Sequence, residues 1–201
     1  PWVSQAAGTG AALALDGALS YIGGYSAKAT GGSDGARYAG VTKDLPRPFL
    51  SNWGLETRCV LAAAGGELMA RLRSNDGAIQ TTYEVLVDMA TRAASVRNSA
   101  GALVQVAASV LGNQGSAIFH PVKLVVDLRT GAYQRVTIDD TRLDLTAYSG
   151  QQVADTAAPL IAVDVFVISR AGANEGRDRA TGQAGHAARR SRSHTGSGQR
   201  R

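Results

Sequence analysis

Apolar and polar residues alternate with a period of two along much of the chain. From Ile79 to Met89, every second residue is Ile, Thr, Tyr, Val or Met, and the positions between them are polar except for Leu86. This alternation is typical of a β-strand with one buried face. Residues 68–73 alternate in the same way, and the segment Ser-Asn-Asp-Gly at 74–77 carries a turn signal between the two runs. The pattern therefore predicts a β-hairpin.

A meander of three further strands is predicted between residues 122 and 145. Apolar residues occupy every second position from Val122 to Leu128, with Lys123 and Asp127 between them, and Thr130-Gly131 then reverses the chain into a second strand at 133–138. Asp139-Asp140 turns the chain again into residues 143–145. Loops this short join antiparallel neighbours.

Two more regions complete the predicted sheet structure. Residues 160–168 are apolar on both faces except at Asp164, which indicates a central strand that is covered on both sides. Residues 25–30 and 37–45 flank the glycine-rich segment 31–35 and are expected to form an opening hairpin. Short strands separated by Gly and Asp turns favour a β-sandwich or a barrel.

The composition suits such a fold and divides the chain. The 201 residues include 24 glycines, and only 18% are charged, which fits a turn-rich fold better than a charged helical bundle. Residues 171–201 contain no Val, Ile, Leu, Met, Phe, Tyr or Trp, so they have nothing apolar to bury. We therefore predict an N-terminal extension at 1–17, a sandwich domain at 18–170 and a disordered basic tail at 171–201.

The formal net charge of +5 belongs to this tail. The tail carries seven arginines against Glu175 and Asp178, and the remaining residues carry equal numbers of basic and acidic side chains. A neutral body lacks the basic face of a dedicated nucleic-acid-binding domain, so no specific nucleic-acid partner is expected. The longest apolar stretch is about half the ~20 residues that a bilayer span requires, so no membrane span is expected either.

Several segments resemble known β-sandwich domains. Residues 24–30, followed by a Gly/Ser turn and by residues 38–41, look like the opening hairpin of jelly-roll carbohydrate-binding modules. Residues 123–146, with 161–168 as the returning strand, are similar to the strand-turn-strand of concanavalin A-like sandwiches. The resemblance implies an all-β, antiparallel β-sandwich of the jelly-roll, concanavalin A-like kind over residues 18–170.

The same resemblance implies a role and a location. Such modules bind glycans on a concave face or in a groove, or serve as non-catalytic domains of secreted enzymes and of viral surface or tail proteins. The favoured function is therefore a non-catalytic carbohydrate-binding or surface-recognition module whose partner is a glycan or another cell-surface ligand. An extracellular or virion-surface location is favoured for the same reason.

A structural role in a virion or another assembly is the alternative. The sandwich would then serve protein contacts, either with virion partners or in a homo-oligomer. The predicted strand at residues 160–168 carries apolar side chains on its outer face as well, and such a face suits a covered interface of this kind.

Glycan recognition requires an exposed aromatic platform and side chains that make hydrogen bonds to hydroxyl groups. Trp53 lies in a predicted loop, where it either caps the core or forms such a platform. Tyr83 lies on the apolar face of its predicted strand, so its side chain is expected in the core. The residues predicted to bind the ligand are Trp53, Tyr133, Tyr148, Arg71, Arg97, Asn98 and Gln134.

A hydrolase is a third and less favoured interpretation. The segment Gly-Gly-Ser-Asp-Gly at 31–35 fits the G-x-S-x-G pattern, which needs a helix after the serine. Pro46 and Pro48 leave no room for that helix. Ser33 would also need His120 and an acid such as Asp88 to form a triad. We therefore expect no enzymatic activity.

Cofactors and metals have little support in the sequence. Cys59 is the single cysteine, so an intrachain disulfide and a thiolate metal cluster are excluded, and we expect Cys59 to be a buried small hydrophobe. No cofactor is predicted, although Asp139, Asp140 and Asp144 could supply oxygen ligands to calcium.

Overall fold

Every regular element in the described residues is a β-strand. The computed structural model describes residues 1–16, 26–30, 37–47, 51–60, 66–112 and 118–169. These residues form fourteen strands, namely β1 (Val3–Ala7), β2 (Ala12–Asp16), β3 (Ser26–Thr30), β4 (Arg37–Pro46), β5 (Asn52–Cys59), β6 (Glu67–Asn75), β7 (Ile79–Asp88), β8 (Ala94–Arg97), β9 (Leu103–Ala107), β10 (His120–Asp127), β11 (Ala132–Ile138), β12 (Thr141–Asp144), β13 (Gln151–Ala154) and β14 (Leu160–Ser169).

The strands form two large sheets and a small ribbon. The larger sheet has the order β1-β4-β14-β6-β7-β8-β9, with β13 also paired to β7. The smaller sheet has the order β12-β11-β10-β5, and β2 and β3 form a two-stranded ribbon. Neighbouring strands within each are antiparallel. The predicted all-β, antiparallel sandwich is confirmed.

The core lies between the two sheets. It combines alternate residues of the larger sheet with alternate residues of the smaller sheet in one buried cluster. Each fully buried Leu or Val contributes about 1.5–3 kcal/mol relative to exposure, so this cluster holds the two sheets face to face. Its members include Leu68, Leu72, Val85 and Ile161 from the larger sheet and Leu55, Val122, Leu124 and Val136 from the smaller one.

The predicted hairpin at residues 68–89 is confirmed as β6 and β7. Leu72 is in register with Tyr83. In the turn, the carboxylate of Asp76 accepts hydrogen bonds from the backbone N–H groups of Ala78 at 2.9 Å and Ile79 at 2.8 Å. Gly77 has a φ of +96°, a conformation that glycine adopts without steric cost. Both the aspartate and the glycine of the Asn-Asp-Gly segment therefore stabilise this turn.

The predicted meander and central strand are also confirmed. Strands β10, β11 and β12 pair in sequence order. Strand β14 pairs along its length with β4 on one side and with β6 on the other. A strand with neighbours on both edges and apolar residues on both faces is what the pattern at residues 160–168 predicts.

The predicted opening hairpin is wrong in its pairing. Both of its strands exist, but β3 pairs with β2, whereas β4 pairs with β1 and β14. Both edges of β4 are therefore occupied, and β3 cannot join it in the sheet. The glycine-rich segment 31–35, with Ser33, lies outside the described residues.

The chain start also differs from the prediction, which placed residues 1–17 outside the sandwich. Strand β1 is an edge strand of the larger sheet, where Val3 is in register with Thr42. The predicted disordered tail at 171–201 lies outside the described residues. No helix in the part of the chain that the structure describes is long and apolar enough to cross a membrane.

Candidate ligand-binding site

A β-bulge in β11 turns two consecutive side chains toward the surface. The pairing of β11 with β10 shifts by one residue at Gln134. Tyr133 and Val136 are both fully buried although they are three positions apart, so one extra residue lies between them. A bulge bends a strand and re-aims its side chains. Gln134 and Arg135 consequently both reach the outer face of the smaller sheet.

An open depression of about 310 Å³ lies beside this bulge. Arg135 is directly opposite Asp144 on β12, and Arg142 is opposite Thr137 on β11. The two arginines are therefore diagonal neighbours on adjacent strands. We call this feature the β11–β12 depression. Its lining consists of Gln134, Arg135, Arg142, Asp144 and Thr146.

The carboxylate of Asp144 is held in place by a local turn. Its Oδ1 accepts hydrogen bonds from the backbone N–H of Thr146 at 2.9 Å and from the Thr146 hydroxyl at 2.8 Å. These two bonds, with the nearby charge of Arg142, hold the pKa of Asp144 below its ordinary value. Asp144 is therefore ionised at neutral pH, and its other oxygen faces solvent as a hydrogen-bond acceptor.

The two arginines of the depression differ from the other cations on this face. Lys123 and Arg58 both form ion pairs with Glu56, each at 3.3 Å. Within the described residues, the guanidinium groups of Arg135 and Arg142 have no hydrogen bond or ion pair. Each guanidinium carries five N–H donors. The depression therefore combines free donors with a fixed carboxylate, an amide and a hydroxyl group.

A second polar constellation lies on the opposite side of the sandwich, on the outer face of the larger sheet. Its centre is Asp164 of β14, which is completely buried. The Asp164 carboxylate accepts hydrogen bonds from Nε of Arg71 at 2.8 Å, from Nε of Arg73 at 3.1 Å and from the Thr42 hydroxyl. Burial disfavours the ionised form of Asp164 and raises its pKa. The hydrogen bonds from Thr42 and Arg71, together with the charge of Arg71, lower the pKa by more. The pKa of Asp164 is therefore lowered.

The same face continues across β7 and β8. Glu84 is in register with Arg71 and accepts a hydrogen bond from Nη2 of Arg97 at 2.8 Å. Nη1 of Arg97 donates to the carbonyl of Gly101 at 2.7 Å. We call the set Thr42, Asp164, Arg71, Arg73, Glu84 and Arg97 the charged row. Its two carboxylates are nearly inaccessible, so the row is mainly an internal ion-pair network.

The structure corrects the expectation for the aromatic residues. Tyr133 is fully buried, so its ring has no exposed face on which a sugar could stack. Trp53 lies in strand β5, in register with Val126, rather than in a loop. Both Trp53 and Tyr148 are half-buried and pack against the core. Tyr83 is fully buried, as its parity predicts.

The predicted polar residues fall in three places. Arg71 and Arg97 come together in the charged row, while Gln134 lies in the β11–β12 depression. The side-chain oxygen of Asn98 accepts the backbone N–H groups of Ala100 and Ala102, each at 3.0 Å. Asn98 therefore shapes the β8–β9 turn.

Sequence reasoning missed most of the depression. Arg135, Arg142 and Thr146 were not predicted as ligand contacts, and Asp144 was considered only for calcium. The available signal was the spacing of three between the apolar residues Tyr133 and Val136, which interrupts the period of two and indicates a bulge.

The residues of the hydrolase interpretation are engaged elsewhere. Nδ1 of the buried His120 lies 2.9 Å from Oδ2 of Asp139. The Asp88 carboxylate accepts the backbone N–H groups of Ala90 and Thr91 in a turn. Among the described residues, no group of three or more His, Cys, Asp or Glu is placed to hold a metal ion.

No family model matches the chain, and no curated protein matches it. Among solved structures, the chain is similar to the carbohydrate-binding module CBM66 from Bacillus subtilis, with 12% sequence identity and a TM-score of 0.41 over 84% of this chain and 92% of that one. It is also similar to the carbohydrate esterase vb_24B_21 from the Shiga toxin-encoding bacteriophage phi24B, with 15% identity and a TM-score of 0.26 over 84% and 90% of the chains. The expected likeness to a carbohydrate-binding module is thus found, but at these TM-scores neither likeness identifies a ligand or a site residue here.

Proposed function

We propose that this protein is a carbohydrate-binding module without catalytic activity and that the glycan binds in the β11–β12 depression. The observation that carries the proposal is the lining itself. An amide, two guanidinium groups, a carboxylate and a hydroxyl group surround one open depression on a rigid sheet. Sugar hydroxyls both donate and accept hydrogen bonds, so they need acceptors and donors side by side.

The electrostatics of Asp144 support this use. Thr146 fixes the carboxylate through Oδ1, so ligand binding does not have to order that side chain. A preorganised site loses less conformational entropy when it binds. The backbone of Gln134 is likewise held by the sheet, because the residue lies in a bulge of β11 and not in a flexible loop.

The lining favours binding over glycoside hydrolysis. Most glycosidases use a pair of carboxyl groups on either side of the scissile bond. Of the residues that line the depression, only Asp144 carries a carboxylate. Its lowered pKa suits a hydrogen-bond acceptor and not a general acid at neutral pH.

A panel of immobilised neutral and acidic glycans tests the proposal. We expect the wild-type protein to bind at least one glycan, and we expect Gln134→Ala and Asp144→Ala each to weaken that binding about tenfold through lost hydrogen bonds.

Two partly exposed positions outside the depression provide matched controls. Asp155 accepts the backbone N–H of Ala157 at 2.9 Å, in the same type of turn as Asp144 and Thr146. Gln5 lies on the edge strand β1 of the other sheet. Asp155→Ala and Gln5→Ala should bind like wild type. Equal binding by all four variants, or no binding of any glycan by the wild type, would contradict the proposal.

A further inference from the structure

The β11–β12 depression has a surplus of positive charge that its own side chains do not neutralise. Arg135 and Arg142 contribute two guanidinium groups, and Asp144 contributes one carboxylate. One oxygen of that carboxylate is already occupied by Thr146. Although Arg135 and Asp144 are direct cross-strand neighbours, they do not form an ion pair in the described structure.

The arginines of the depression differ from the neighbouring cations in that neither forms an ion pair. At the opposite edge of the smaller sheet, Glu56 pairs with both Arg58 and Lys123. On the other side of the sandwich, Asp164 pairs with Arg71 and Arg73. Each of these four cations therefore has a carboxylate of the chain as its ion-pair partner, whereas the two arginines that line the depression keep their donors for a ligand.

We infer that the ligand of this depression is an acidic sugar that carries a carboxylate, such as a uronic acid. This inference rests on the proposed glycan-binding function and names its substrate class. A guanidinium presents two parallel N–H donors that match the two oxygens of a carboxylate. Two guanidiniums from adjacent strands bring such forks to the lining of the depression, and Gln134 and Asp144 remain for the sugar hydroxyls.

The carboxylate of Asp144 separates this ligand from a nucleic acid. The phosphodiester backbone of DNA offers acceptors and negative charge but no hydroxyl donor for Asp144. A uronic acid brings hydroxyl donors that Asp144 can accept as well as the carboxylate that the arginines bind. A polyanion without hydroxyl donors therefore uses only half of the lining.

The test compares uronate polymers with their carboxyl-reduced counterparts, which keep the hydroxyl groups and lose the charge. The probes are polygalacturonate, alginate and hyaluronan, each in both forms, with single-stranded DNA as another polyanion. We expect at least one uronate polymer to bind about tenfold more tightly than its reduced form and more tightly than DNA. The full chain is used throughout, so the basic tail is common to all proteins compared.

Three variants assign the preference to the depression. In the double variant Arg135→Gln, Arg142→Gln, the preference for the uronate form should disappear. The double variant Arg135→Lys, Arg142→Lys keeps the charge but lacks the paired N–H donors of a guanidinium, so its preference for the uronate form should fall to an intermediate value. Arg58→Gln, on the same face at the opposite edge, should retain it. Unchanged unfolding midpoints verify that the variants are folded.

The possible failures are distinct. If a neutral glycan binds as tightly as its acidic form and binding still depends on Gln134 and Asp144, the inference fails and the proposed function stands. If DNA binds as tightly as the uronate and DNA binding is lost in the same arginine variants, the inference also fails, because the depression then binds any polyanion through charge alone. If the broader glycan panel gives no binding at all, the proposed function itself fails.

Discussion

Tyr83 and Tyr133 cross the core of the sandwich in opposite directions. Their rings meet edge to face, with centroids 5.4 Å apart and an interplanar angle of 86°. Tyr83 of the larger sheet donates its hydroxyl to the carbonyl of Asp127 in the smaller sheet at 3.3 Å. Tyr133 of the smaller sheet donates to the carbonyl of Arg97 at 2.7 Å and accepts the N–H of Glu84 at 2.9 Å. Each tyrosine therefore joins its own sheet to the backbone of the other.

The two hydroxyl groups should contribute unequally to stability. Tyr133→Phe leaves a buried N–H and a buried carbonyl without their partner, which costs about 1–3 kcal/mol, whereas Tyr83→Phe loses one long hydrogen bond and costs about 0.5–1.5 kcal/mol. Urea unfolding followed by tryptophan fluorescence measures both free energies. A larger loss in Tyr83→Phe than in Tyr133→Phe would contradict the bridging geometry.

Asp164 should make the fold sensitive to acid. Asp164→Asn keeps the shape and removes the charge that Arg71 and Arg73 share. Breaking a buried ion pair costs about 3–5 kcal/mol, and we expect the lower end because both arginines are partly exposed to solvent. The free energy of unfolding of the variant, compared with that of wild type at pH 7, measures this cost.

The sign of the pH dependence follows from the lowered pKa of Asp164. Its contribution is fully present above the unfolded value of about 3.9 and is lost as the pH falls through the lower folded value. The difference in stability between wild type and Asp164→Asn should therefore shrink below about pH 4. A difference that stays constant or widens from pH 6 to pH 3 would show that Asp164 is not stabilised in its ionised form.

Gly40 is required by the close packing of Phe166 against β4. A Cβ added at Gly40 would lie 2.5 Å from Cδ1 of Phe166 and 2.7 Å from its Cα. Because part of this contact is backbone, Gly40→Ala should destabilise the protein by about 1–3 kcal/mol. Gly54→Ala is the matched control, since its added Cβ would meet its nearest atom at 3.4 Å. Equal thermal unfolding midpoints for the two variants would contradict this account.

Cys59 should react slowly in the folded protein. Burial, and then the charge of Asp139, raise the pKa of its thiol to about 12. Since the thiolate is the reactive form, a disulfide reagent at pH 8 should modify Cys59 about a hundredfold more slowly than it modifies the urea-unfolded chain. Comparable rates in the two states would show that the thiol is accessible and unperturbed.

The sequence predicts those parts of the fold that depend on local alternation. The β6–β7 hairpin follows from the parity of residues 79–89 and from the turn at Asp76-Gly77, and the central position of β14 follows from its two apolar faces. The pairing of β3 could not be predicted in this way. Its partner depends on which strand edges remain open after β1 and β14 have occupied both edges of β4.

The candidate site was less predictable for a related reason. A single extra residue in β11 interrupts the alternation of inward and outward side chains. Tyr133 is therefore in the core, and the side chains of Gln134 and Arg135 both lie on the outer face. Arg142 and Asp144 join them only through the register of β12 against β11. Aromatic and polar residue types alone carry no information on that register.

Amide chemical-shift mapping during titration with the tightest-binding oligosaccharide tests the central claim most directly. The largest changes should occur at the backbone amides of Gln134, Arg135 and Thr146 and at the side-chain amide of Gln134, while the amides of the charged row stay unchanged. Shifts confined to the charged row or to the surroundings of Trp53, with the β11–β12 depression unaffected, would contradict it.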